Sequence, residues 1–275
     1  MIKKILFVFL CAGLIQSCQT EKKSFKGVFF GGQIINPSSR KVTLYQGNKS
    51  LDVFELDENL RFNKSYDSLN SGIFKLEHLP EFQSLLLEEG DSIWVRINAP
   101  TFDESIVYSG SGASKNNFLM ELLLKQEKEN DYLSSKYSSG RKVFSQLLDS
   151  MLLEKKNLWI KMDSLNDLSP IAQKVTQAAY IYPYATIRER YALLRGSQWT
   201  TKEDSLYFSF QKYLNYGDND LAFFNPYVNY VLNFINKKAL KPGASYFQIK
   251  QTTDFNISRL EALDKNIKGS LLRNN

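Results

Sequence analysis

Near residue 112 the hydrophobic pattern of this 275-residue chain changes period, and that change constrains the fold more than any single motif. Before it, short runs rich in Val, Ile, Phe and Tyr alternate with polar residues and stop at turn formers, the period-two pattern of strands. The runs are Val28 to Ile35, Lys41 to Tyr45, Leu51 to Leu56, Leu60 to Phe62, Gly72 to Leu76, Gln83 to Glu88, Ser92 to Ile97 and Ile106 to Tyr108. Successive strand side chains point to opposite faces, so such segments pack one face and leave the other wet. The expectation for residues 27–112 is an antiparallel β-sandwich.

From Ser114 the spacing becomes helical. Phe118, Leu119, Leu122 and Leu123 form one apolar stripe; Val143, Leu147, Met151, Leu158 and Met162 form another. Helices are expected near 114–135, 139–165, 170–194, 201–215, 226–238 and 254–268. Ser169-Pro170 and Asn225-Pro226 place a capping side chain before a proline that suits a first turn, and Thr200 to Glu203 resembles a capping box. Pro183 removes a backbone donor inside the third helix and should bend it. The fold class is therefore α+β: an N-terminal antiparallel β-sandwich followed by an all-α helical region over 113–275.

The first residues read as an export signal. Lys3 and Lys4 precede an apolar run from Ile5 to Ile15, too short to span a bilayer that needs roughly 20 residues of helix. The run ends in Ile15-Gln16-Ser17-Cys18, which resembles the lipobox of bacterial lipoproteins. That resemblance implies cleavage after residue 17, lipid on Cys18, a polar tether over 18–26 and attachment to the cell envelope, at the outer membrane. Two or more acyl chains anchor a protein stably, at about 0.8 kcal/mol per buried methylene.

Residue types then limit the chemistry. The chain has two cysteines; Cys11 leaves with the signal and Cys18 carries lipid, so the exported body has no thiol for a disulfide or a CxxC pair. The only histidine, His78, precedes Pro80 and reads as a partly exposed structural residue. No Gly-x-Ser-x-Gly elbow and no Gly-rich phosphate loop are present. The acids Asp52, Asp57, Glu58, Glu88, Glu89 and Asp91 sit mainly at turns, where ordinary turn chemistry explains them better than calcium does. No catalytic residue, metal or cofactor is expected, and a carboxylate hydrolase ranks last among the readings. The formal charge of +6 falls by two when Lys3 and Lys4 leave, and the lysines are scattered, so nucleic acid is not an expected partner.

Aromatic residues crowd the stretch from Tyr180 to Phe234. Helical spacing such as Tyr227, Tyr230 and Phe234 favours packing between helices, with hydroxyls reaching the rim. The functional alternative is a groove for glycan or peptide, with Tyr184, Tyr191, Trp199 and Tyr207 as its candidate ligand-binding residues.

Three segments carry a family resemblance: Leu56-Asp57-Glu58-Asn59-Leu60-Arg61-Phe62, Leu87-Glu88-Glu89-Gly90-Asp91-Ser92-Ile93, and Phe102 to Leu119 with Ser109-Gly110-Ser111-Gly112-Ala113-Ser114-Lys115-Asn116-Asn117 at its centre. Together with the lipobox they resemble the N-terminal part of Bacteroidetes-type lipoproteins that end in a thioredoxin-like thiol–disulfide oxidoreductase domain. In that family a β domain and a helical region precede the redox domain. With no cysteine after Cys18, redox activity cannot be carried over to any residue here. The resemblance implies either a truncated relative or a shorter member that serves as a binding module, partnered by the membrane through Cys18 and by an envelope protein, peptide or glycan.

Overall fold

A computed structural model describes residues 27–195, 205–241 and 246–267. The signal, the tether, Cys18, Trp199 and the expected capping box at Thr200 to Glu203 lie outside the described residues. Eight strands come first: β1 Val28–Ile35, β2 Lys41–Gln46, β3 Lys49–Glu55, β4 Arg61–Tyr66, β5 Gly72–His78, β6 Glu81–Leu87, β7 Ser92–Asn98 and β8 Val107–Ser111. The helices are α1 Phe102–Ser105, α2 Ala113–Ser135, α3 Arg141–Asn166, α4 Pro170–Arg195, α5 Asn225–Ala239, α6 Tyr246–Ile249 and α7 Thr253–Asn266. The α+β class and the order of its parts match the sequence pattern.

The strands form two four-stranded sheets, ordered β4-β1-β7-β8 and β3-β2-β5-β6. One pair corrects the antiparallel expectation: β1 runs parallel to β7, with Phe29 opposite Ser92 and Ile34 opposite Ile97. Neighbours far apart in sequence need no hairpin, so alternation fixes which face is buried but not strand direction. Between the sheets lie Phe30, Ile34, Val42, Leu44, Phe74, Leu76, Ile93 and Val95, all essentially buried.

The helices do not form a separate core. On β6, Leu85 and Leu87 point into the sandwich while Leu86 points the other way, into a cluster shared with Phe118, Leu122, Val175, Ala178, Tyr182 and Tyr230. Ile73 of β5 joins it. The sheet β3-β2-β5-β6 is therefore covered on both faces at this end, which is why Leu85-Leu86-Leu87 is an unbroken apolar run. A third cluster, around Phe144, Leu148, Tyr184 and Tyr191, fills the far end of the bundle.

The family-like segments build the joint. Gly110 and Gly112 both have positive φ, of 97° and 86°; a Cβ at Gly110 would meet the Ser92 carbonyl and one at Gly112 the Asp91 carboxylate. That close approach brings Lys115 Nζ to 2.5 Å from Glu88 and 2.7 Å from Asp91, with all three side chains largely shielded. Ser169 donates to Glu88 and accepts from the Ala172 N–H at 3.1 Å, so one cap ties α4 to the β6–β7 turn.

Asn116 and Asn117 then each mimic a neighbouring strand. Asn116 accepts from the Leu86 N–H at 2.7 Å and donates to the Leu86 carbonyl at 2.9 Å. Asn117 does the same to Tyr108 of β8, at 2.9 and 2.8 Å. Both β6 and β8 are sheet edges, so this doublet satisfies one residue on each edge of the sandwich.

Several local expectations are corrected. His78 is 1% exposed rather than partly exposed: its Nε2 accepts from the Ser38 N–H at 3.1 Å and its Nδ1 lies 3.0 Å from the Lys41 carbonyl, which fixes the ring under the Asn36–Ser39 turn. Asn225 is not a cap; it opens α5 and Phe224 precedes it without a side-chain cap bond. The expected helix at 201–215 is, where described, α-helical at 205–207 and tightens into a 3-10 helix over Phe208–Tyr213. No helix among the described residues is long and apolar enough to cross a membrane.

Candidate functional site

The bundle resolves most of the aromatic stretch as packing. Tyr191 stacks on Phe144 with centroids 4.1 Å apart and donates to the Ser139 carbonyl. Tyr184 donates to Glu129, which also pairs with the buried Lys155 amine. Tyr207 donates to the Arg188 carbonyl at 2.8 Å. Burial, followed by the Glu129 carboxylate, lifts the Tyr184 phenol far above its ordinary range; burial does the same at Tyr207. Tyr184 and Tyr207 do share the wall of one cavity, of about 830 Å³, with Arg188, Phe210 and Tyr213. Tyr191 is not among its walls. The Tyr184 and Tyr207 hydroxyls are committed to the protein there, and Arg188 is paired with Asp149.

A different cavity has several of its polar groups unspent. About 620 Å³ in volume, it lies where β6 meets α2, α4 and the start of α5. Its apolar floor comes from Leu119, Leu122, Leu133, Pro183, Ile187 and Phe224, all buried. Gln83 and Ser84 of β6, Gln126, Glu127 and Asn130 of α2, Arg190 of α4, and Asn225 and Asn229 of α5 form the rim. This size falls within the usual range for ligand sites, roughly 300–1,000 Å³.

On α5 the asparagines recur as Asn225, Asn229, Asn233 and Asn236, one stripe on a 3.6-residue helix running about 16 Å along its axis. Asn233 and Asn236 continue past the first cavity into a second of about 100 Å³, where Thr186 and Arg190 again take part. Asparagine is a poor helix former. Among the described residues the side chains of Asn225, Asn229, Asn233, Gln126, Asn130 and Arg190 make no hydrogen bond or ion pair, and the buried Asn236 Oδ1 has no partner. The stripe lowers helix propensity and returns no bond within the protein. Its opposite face, with Tyr227, Tyr230 and Phe234, is buried as the sequence spacing suggested.

The backbone along the rim is equally open. Strand β6 pairs with β5 on one side only. In an antiparallel ladder alternate residues turn both N–H and C=O outward. Asn116 engages those of Leu86, so Ser84 and Phe82 share the outward orientation. The Ser84 N–H is taken by Gln83 Oε1 at 2.8 Å; the Phe82 N–H and the Phe82 and Ser84 carbonyls make no hydrogen bond within the described residues. Pro183 adds one more open acceptor: it lies inside α4, so the Ala179 carbonyl four residues back lacks its helical donor, and both residues line the cavity.

Electrostatics differ between the ends. Glu81 opens β6 and Asp103 stands beside it, with Glu127 of α2 on the same cavity wall. Burial, then Glu81 and Glu104, raise the Asp103 carboxyl above its ordinary range, opposed by a hydrogen bond from Gln83 at 3.1 Å. Glu127 is raised by partial burial and then by Asp103 and Glu104. Among the described residues no group of three or more His, Cys, Asp or Glu is placed to hold a metal ion. No known family model matches the chain, and no curated protein matches it in sequence.

Proposed function

We propose that the chain is a lipid-anchored envelope protein that works by binding, and that its groove takes an extended polypeptide as an added strand on β6. The observation that carries this reading is the set of open Phe82 N–H and Phe82 and Ser84 carbonyl groups at the wall of a cavity whose rim holds the unbonded side chains of Gln126, Asn130, Asn225 and Asn229. An exposed sheet edge is a template for one more strand, and main-chain bonds give such complexes their affinity while flanking side chains give specificity. Asn116 occupies the edge at Leu86, which sets where an incoming strand must stop. The apolar floor accepts one face of an alternating segment, and the Asn and Gln rim meets its remaining amide groups.

Membrane attachment rests on the lipobox-like Ile15 to Cys18, and kinship with the accessory region of exported thioredoxin-like proteins rests on the three segments that resemble it. Two of those segments are the clamp around Lys115, Asn116 and Asn117, so the resemblance concerns architecture and lends no redox role. Phe82→Pro tests the binding reading: it deletes the outward N–H and, on an edge facing solvent, is tolerated by the sheet. Relative to Phe82→Ala, which removes only the ring, it is expected to weaken binding of an extended peptide about fivefold, the worth of one hydrogen bond. Equal affinity of the two folded variants would contradict strand addition.

A further inference from the structure

In this lysine-rich chain nearly every shielded carboxylate has an ammonium partner. Glu88 and Asp91 share Lys115, Glu129 holds Lys155, Glu189 takes Lys237, and Asp218 takes Lys174. Half-buried Asp103 breaks that pattern, and the exposed Glu81, Glu104 and Glu127 near it are unpaired too: among the described residues none of the four makes an ion pair. Glu81, Asp103 and Glu127 line the groove where the β6 backbone is open, and Glu127 is held above its ordinary range by partial burial and then by Asp103 and Glu104. The one cation among the described lining residues, Arg190, sits on α4, on the side where the groove meets the smaller cavity.

Resting on the strand-addition reading, we infer that the occupant is a cationic segment, with a Lys or Arg side chain of the added strand seated between Asp103 and Glu127. Along a strand, alternate side chains share a face at about 6.6 Å spacing, so one face meets the apolar floor while the other reaches the acids. A cation at that point neutralises carboxylates that now repel one another, and a segment bearing acids there meets a field of its own sign.

The test uses the full-length chain in an uncharged detergent, with labelled hexapeptides alternating Val-Lys, Val-Thr and Val-Glu read by fluorescence anisotropy. The Val-Lys peptide is expected to bind about tenfold tighter than Val-Thr, the combined effect of two or three partly exposed ion pairs. Val-Glu is expected to bind weakest. Combining Asp103→Asn with Glu127→Gln should shrink the Lys-over-Thr preference to within about threefold, and a thermal melt of the variant confirms its fold. Comparable binding of Val-Lys and Val-Thr, or a Lys preference that survives the double substitution, overturns the cationic inference and leaves strand addition standing. If none of the three peptides binds, strand addition itself fails and the inference falls with it.

Discussion

Replacing Asn116 by alanine attacks the joint between sandwich and bundle at one point. The side chain is 1% exposed and satisfies both the N–H and the C=O of Leu86, at 2.7 and 2.9 Å. Truncation leaves two buried backbone groups without partners, each costing about 1–3 kcal/mol. The expected loss is therefore about 2–6 kcal/mol, a large share of the 5–15 kcal/mol typical of a folded domain. Asn117 makes the same pair of bonds to Tyr108 but is only half-buried, so water replaces part of what is lost and Asn117→Ala should cost about 1 kcal/mol. Asn116→Asp keeps the acceptor but turns an oxygen toward the Leu86 carbonyl, and should be no better than alanine. Urea unfolding of the detergent-solubilised chain, followed by tryptophan fluorescence, measures all three. An Asn116→Ala variant within about 0.5 kcal/mol of the parent, or one less affected than Asn117→Ala, would refute the strand-mimic account.

Other perturbations test other parts. Lys155→Ala should cost about 3–5 kcal/mol in urea titrations, because it strands Glu129 in a shielded site; Lys155→Met with Glu129→Gln should recover much of that. Tyr184→Phe should lower stability by about 1 kcal/mol yet leave peptide affinity unchanged in anisotropy titrations, since its hydroxyl serves Glu129. Tyr108→Phe should be neutral or slightly stabilising in thermal melts, because its buried hydroxyl has no partner to lose. Asp103 is held above its ordinary range chiefly by burial, so the folded state takes up its proton more readily than the unfolded chain. The penalty is complete at neutral pH and vanishes as pH falls below the ordinary aspartate value of about 3.9. Asp103→Asn should melt higher than the parent at neutral pH, with the gap closing toward about pH 3.5; a gap that widens with acid would reverse the assignment.

The sequence announced its elements well because each rests on local periodicity. Leu85-Leu86-Leu87 reads as a buried strand and is one, yet only the fold reveals that Leu86 serves a different core from its neighbours. Strand direction in the β1–β7 pair was invisible because no hairpin links them. At the site, attention to aromatic density led to Tyr184, Tyr191 and Tyr207, which the bundle uses for packing and internal hydrogen bonds. The groove was legible in one respect that the aromatic reading passed over: Asn225, Asn229, Asn233 and Asn236 share a helical face with nothing apolar among them. The open edge at Phe82 and the unpaired acids were not legible, since each depends on which elements fail to cover it.

Amide hydrogen exchange at Phe82 tests the central claim most directly. In the full-length chain saturated with the Val-Lys peptide, exchange at Phe82 is expected to slow markedly while Leu86, already held by Asn116, stays as it was. Saturable binding with Phe82 exchange unchanged, and new protection around Tyr184 and Tyr207 instead, would contradict strand addition and move the site to the aromatic cavity.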